Sequence, residues 1–193
     1  MTISPATPEE VMTMPSRLNY AKANPAALQA MRAVEEYVQK SGLEAKLLEL
    51  VRLRASQING CAFCIDMHTQ DARAAGESEQ RLYGLSVWYE TPFYSARERA
   101  ALAWTEAVTQ ISTSQVPDEV YMQAREQFPE KELVDLTMAV IAINGWNRLA
   151  ISFRTPAGTY HLSRRPTPPL SATRTADGKG AESQSKDDVA ESG

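Results

Sequence analysis

Cys61 and Cys64 are the only cysteines in the 193-residue chain, three positions apart, with His68 four residues further on. In a reducing compartment so close a pair serves redox chemistry or metal ligation more often than it serves as a staple. A disulfide closing this short a loop removes little entropy from the unfolded chain, so stabilisation is a poor reason for it. On a helix turning ~100° per residue, Cys61, Cys64 and His68 fall within an arc of about 60° and can look at one point. His68 stands at i+4 from Cys64, the separation that brings side chains into contact, so the imidazole serves that thiol more directly. Cys61 sits at the helix start, where unpaired N–H groups and the helix dipole lower a thiol pKa. The dipole thus favours Cys61 and the imidazole favours Cys64.

The preceding segment brings a carboxylate to the same place. Asn59-Gly60 is a tight break, so the two helices flanking it should fold back on each other. Glu49 lies ten residues before Asn59 and His68 eight after Gly60. At ~1.5 Å rise per residue the two fall within about one turn of each other along the axes. Glu49, His68, Cys64 and Cys61 then read as carboxylate, imidazole, attacking thiol and resolving thiol, a chain that activates a weak nucleophile. Two rival readings stand beside it. Lys46 and Arg52, three residues to either side of Glu49, would make a solvated ion pair on a helix face. Cys61, Cys64, His68 and Glu49 are also four zinc-ligand types, although structural zinc pairs usually sit on turns that let both sulfurs converge.

The elements that must position these side chains read as helices throughout. Asn24-Pro25 opens a segment with Leu28, Met31, Val34, Tyr37 and Val38 at helical spacing, closed by Gly42. Leu43 to Ile58 is the second, and the third runs from the cysteines to Gly76. A fourth follows Ser78. Ser95 and Glu98 have the spacing of a capping box for a fifth, carrying Ala101, Leu102, Trp104, Thr105 and Val108. Pro117 starts a sixth. Pro129 opens the most hydrophobic one, where Leu133, Leu136, Val140, Ile141 and Ile143 mark a central helix. The expected fold is all-α, a helical bundle of about six to seven helices in a domain over 24–162, preceded by an N-terminal extension over 1–23. Residues 163–193 contain only Leu170 and Val189 as large aliphatics and read as a disordered tail.

Composition removes several functions. Lys and Arg total 20 against 24 Asp and Glu, so no broad basic field exists for nucleic acid or anionic lipid. The longest apolar run, Met138 to Ile143, is far below the ~20 residues of a membrane span. The start of the chain lacks the basic and apolar regions of a secretory signal, which gives a cytoplasmic expectation. No Gly-rich phosphate loop is present. Trp88, Trp104 and Trp146 read as packing residues, His161 as structural, and Arg52 and Arg54 as a solvated helix face.

Glu49, eleven residues, then Cys61-Ala62-Phe63-Cys64 and His68, within ELVRLRASQINGCAFCIDMH, resembles the core of the alkylhydroperoxidase AhpD and carboxymuconolactone decarboxylase family. That motif covers 20 residues, and the helical pattern from about Asn24 to Arg154 is compatible with the rest. The resemblance implies that Cys64 is oxidised by peroxide, that Cys61 resolves it, and that Glu49 and His68 relay the proton. Phe63 stands where the best-known members carry a second histidine, so no role falls on an imidazole there. The decarboxylases of the family do not depend on a cysteine pair, so its presence favours redox. The expectation is a peroxidase acting on a hydroperoxide, reduced by an unknown thiol, without cofactor or metal. As the resemblance implies, it would assemble as a homo-oligomer, a trimer or hexamer. The alternative within the resemblance is a decarboxylase-like enzyme or a binder of small ring acids in which the cysteines are incidental.

Overall fold

A computed structural model describes residues 15–162; the expected tail at 163–193 lies outside the described residues. Among the described residues the chain forms nine α-helices and no strand. They are α1 (Tyr20–Ala23), α2 (Pro25–Lys40), α3 (Ala45–Asn59), α4 (Ala62–Ala74), α5 (Glu79–Gly84), α6 (Ala96–Thr109), α7 (Ile111–Ser114), α8 (Asp118–Gln127) and α9 (Glu130–Phe153). A 3-10 segment, Leu85–Glu90, links α5 to α6. The seven helices read from the sequence are α2 to α6, α8 and α9. The other two are single turns of four residues, too short to carry a hydrophobic period.

The starts follow from local chemistry. The Asn24 side chain accepts from the Ala27 N–H ahead of Pro25, and Ser95 and Glu98 complete a reciprocal capping box. At the end of α3, Gly60 takes φ of 68°, a left-handed conformation that a Cβ would disfavour. The Cys61 N–H then bonds the Ser56 carbonyl at 3.0 Å, and α4 starts one residue later, folded back along α3.

Helix α3 separates two hydrophobic clusters, which is why seven consecutive residues, Leu47 to Leu53, are buried. Leu47, Leu48 and Val51 enter one cluster with Trp104, Phe128, Leu136 and Val140. Leu50 and Leu53 enter the other with Leu85, Trp88 and Leu102. The central position expected of α9 is therefore shared with α3. Ile141, counted among the α9 core residues from its hydrophobicity, is 51% exposed, and Val134 one heptad earlier is 59% exposed. An apolar position on a long helix need not be covered by its own chain.

Polar residues lock α3 to α9 at the end nearest the cysteines. The Asn59 amide donates to the Oδ1 atoms of Asn144 at 3.0 Å and Asn147 at 2.8 Å. Asn147 donates in turn to Ser56 Oγ at 3.0 Å. These bonds fix the turn from which α4 departs. No helix among the described residues is long and apolar enough to cross a membrane.

Candidate active site

Helix α4 begins at Ala62, so Cys61 is its N-cap, with φ of −85° and ψ of 93°, and not a helical position. The common arc inferred from helical spacing therefore holds for Cys64 and His68 but not for Cys61. The Cys61 Sγ accepts the Cys64 backbone N–H at 3.3 Å, and the two sulfurs are joined in a disulfide. Both residues are buried and pack with Ala150 of α9, with Phe63 against them. In this oxidised state the sulfurs are unavailable as thiolate ligands for the four-residue zinc set.

One turn further along α4, His68 is buried, and its Nδ1 lies 2.8 Å from Glu49 Oε2. A carboxylate only accepts hydrogen bonds, so Nδ1 carries the proton and Nε2 is the ring's acceptor. The other oxygen of Glu49 accepts from Arg52 Nη1 at 2.7 Å, and Arg52 Nη2 reaches Glu35 Oε1 at 2.5 Å. The solvated ion pair set against the relay is thus absent as such: Arg52 pairs with Glu49 inside the protein, while Lys46 bonds the Gly76 carbonyl. Arg52 is 5% exposed, and Arg54 is tied to Glu106 at 2.7 Å, so neither forms a solvated face. Burial pushes the Glu49 carboxyl toward a higher pKa. The hydrogen bond and charge of His68, then those of Arg52, outweigh it and hold the group below the usual carboxylate range.

Cys64 and His68 share a cavity of about 470 Å³ with Glu35, Asp71, Trp146 and Tyr160. Trp88 and Trp104 are core residues as expected, whereas Trp146 walls this cavity. Tyr20 and Ala21 also line it, from the stretch read as an extension. The Arg17 backbone N–H bonds the Phe153 carbonyl at 3.0 Å and holds that stretch in place. His161 is exposed and lines none of this space. Glu49, His68 and Asp71 bring potential metal-ligand atoms within 4.8 Å of one another. Protein groups already serve them: Glu49 holds Arg52 and His68, and Asp71 accepts from Tyr160 Oη at 2.7 Å.

The carboxymuconolactone decarboxylase family matches residues 25–107, which include Glu49, both cysteines and His68. YdfG of Bacillus subtilis, itself uncharacterised, is 45% identical over 139 residues, spanning 72% of this chain and 95% of YdfG. A solved Agrobacterium tumefaciens protein of unknown function, proposed as an antioxidant-defence AhpD, is 48% identical. It superposes with a TM-score of 0.74 over 76% of this chain and 100% of its own. The chain belongs to the AhpD and carboxymuconolactone decarboxylase family. A more distant peroxidase-related protein from Silicibacter shares 23% identity and a TM-score of 0.63, over 72% of this chain and 74% of its own, and likewise has the fold.

Sequence reasoning missed Glu35, Tyr20 and Tyr160 as parts of this candidate site, and the asparagines of α9 that fix the turn before it. Glu35 had one available signal, since it sits on α2 beside Val34 and Val38, on the side that turns inward. Tyr160 had none, because its approach to Asp71 depends on the path of the chain after α9.

Proposed function

We propose that this chain is a thiol-dependent peroxidase in which Cys64 is the peroxidatic sulfur and Cys61 the resolving one. His68 takes the Cys64 proton, and Glu49 holds the ring and balances its charge. The Cys64 thiolate attacks the terminal oxygen of a hydroperoxide. The O–O bond breaks, the alcohol departs with a proton, and Cys64 becomes a sulfenic acid. Cys61 displaces water from that sulfur to form the disulfide, and an external thiol restores the pair. The observation that carries this reading is the opening of Cys64 and His68 onto one cavity, with the ring held from behind by the buried Glu49. Kinship with the Agrobacterium protein proposed for antioxidant defence supports it.

The test is one stoichiometric dose of hydroperoxide on the reduced chain, followed by peptide mass spectrometry. Cys61 and Cys64 should become linked in the wild type. Cys61→Ser should stop at a sulfenic acid trappable on Cys64, and Cys64→Ser should consume no peroxide. Full turnover by Cys64→Ser rejects the assignment, and a catalytic activity that survives loss of both sulfurs favours the decarboxylase-like alternative.

A further inference from the structure

The disulfide has two differently lined sides. Cys64 lines the cavity it shares with His68, but Cys61 lines a second cavity of about 400 Å³ with Gly60, Ala62, Arg154, Thr155 and Ala157. Phe63 and Ala150 border both spaces and form the partition between them. The volume is within the range of small-molecule sites. The charges also differ. Two carboxylates, Glu35 and Asp71, line the Cys64 side together with Arg32, whereas the residues around the Cys61 side include no carboxylate and one cation, Arg154. Arg154 is half-buried at the end of α9, and its guanidinium has no ion pair or hydrogen bond among the described residues.

We propose that the Cys61 cavity admits the reductant: a small thiol bearing a carboxylate or phosphate, held by Arg154, which attacks Cys61 and not Cys64. The proposal rests on the redox reading of the pair. The donor thiolate forms a bond to Cys61 Sγ as the Cys61–Cys64 bond breaks, and Cys64 leaves as a thiolate. Thiol exchange is faster when the departing sulfur is the better-stabilised anion, and Cys64 departs beside the His68 ring, which relays to it a proton that the donor thiol released to solvent on ionising. A second donor thiolate attacks the donor sulfur of the mixed disulfide and releases Cys61, which takes a proton from solvent. Two donor thiols become one disulfide, and two electrons and two protons pass to the cysteine pair. Peroxide and reductant thereby reach the pair through separate openings, so neither needs to clear the other's space.

The experiment uses the full chain in its disulfide form without peroxide. Single-turnover reduction is measured with 3-mercaptopropionate and with cysteamine, and each rate at equal thiolate concentration is divided by the same thiol's rate with an uncharged model disulfide, which removes the difference in intrinsic nucleophilicity. The anionic thiol should be faster by about fivefold, the size a half-buried charge pair sustains. Added salt should narrow the difference. Arg154→Gln should bring the ratio close to one and Arg154→Glu should reverse it. Acid quenching partway followed by peptide mass spectrometry should find the donor on Cys61. Ala157→Trp, an exposed position that fills the cavity, should slow reduction about tenfold, since exchange depends on access. It should leave oxidation of the reduced chain by hydroperoxide unchanged. A donor adduct on Cys64, or a thiol preference that Arg154→Glu does not move, overturns the proposal. If Arg154-dependent reduction holds while the reduced chain ignores hydroperoxide, the peroxidase reading fails and the entry site stands.

Discussion

Replacing Glu49 with Gln keeps the shape of the side chain and removes its charge where imidazole and guanidinium meet. The carboxylate at 2.8 Å from Nδ1 can only accept, which leaves Nε2 free to take a proton. A carboxamide can present its NH2 to the same atom, which permits the opposite tautomer, and it offers no negative charge beside a protonated ring. General-base assistance contributes about 10²–10⁴ in rate, so oxidation of Cys64 at pH 7 should fall about 100-fold. The deficit should shrink to under about tenfold by pH 9, above the ordinary thiol pKa of about 8.5, where Cys64 ionises without the ring's help. Folding should survive. Arg52 retains Glu35 at 2.5 Å, so its charge is not orphaned. The stability loss should then be about 2 kcal/mol, below the ~3–5 expected when a buried ion is left alone. The assay is hydroperoxide-driven disulfide formation in reduced protein from pH 6 to 9.5, stopped with acid and counted by thiol alkylation, beside urea unfolding at pH 7. A folded Glu49→Gln protein oxidised within about threefold of wild type at pH 7 would refute the relay. So would a 100-fold deficit that pH does not relieve.

Asn147 is fully buried, accepting from Asn59 and donating to Ser56. Asn147→Ala should cost about 1–3 kcal/mol of unfolding free energy in urea, because both partners are left short of a bond. The pH dependence has a definite sign. Burial raises the carboxyls of Glu49 and Glu98, but His68 and Arg52 for the first, and Arg81 and Ser95 for the second, hold both below the ordinary value. Their stabilisation is complete above the unfolded carboxylate value of about 4.3 and is lost as pH falls through the lower folded values. The melting temperature should therefore drop between pH 5 and pH 3, and a rise over that interval would contradict the assignment. We also propose that Val134 and Ile141, exposed seven residues apart on α9, are covered by another copy of the chain. Light scattering should show an oligomer that Ile141→Glu splits into smaller species; a wild-type monomer would dismiss this.

The features legible in the sequence are those that depend on a few neighbouring residues. Caps at Asn24, Ser78 and Ser95 and the left-handed break at Gly60 act within one turn, so element order and the α3–α4 fold-back could be read directly. The approach of Glu49 to His68 followed from that fold-back by counting residues along two helices. What could not be read depends on how distant segments cross. Arg52 lies three residues from Glu49 in any helix, and spacing alone cannot say whether the pair meets water or the interior. The answer depends on α2 placing Glu35 against it, 17 residues away in sequence. Cys61 was misplaced on a helical arc for a local reason: the N-cap position departs from helical φ and ψ. That one-residue difference is what takes Cys61 off the face that Cys64 and His68 share.

The buried charges also suit the direction in which a proton must travel. Glu49 and Asp71 lie beside His68, and the buried Arg52 bridges Glu49 to the half-buried Glu35. Before reaction this group is net negative in surroundings that solvate charge poorly. A proton passed from Cys64 to His68 reduces that imbalance and creates no new unpaired buried charge, while the thiolate left behind faces the cavity where a peroxide would arrive. Arg52 makes such a cluster tolerable by keeping Glu35 and Glu49 from repelling each other. Arg52→Met should therefore destabilise the fold by about 3–5 kcal/mol, the cost of leaving the buried Glu49 and the half-buried Glu35 without their cation. A double replacement, Arg52→Met with Glu35→Gln, should recover part of that loss in urea unfolding. If the double variant is no more stable than the single, the coupling between the two carboxylates through Arg52 does not exist, and the balance of charge around His68 must be drawn differently.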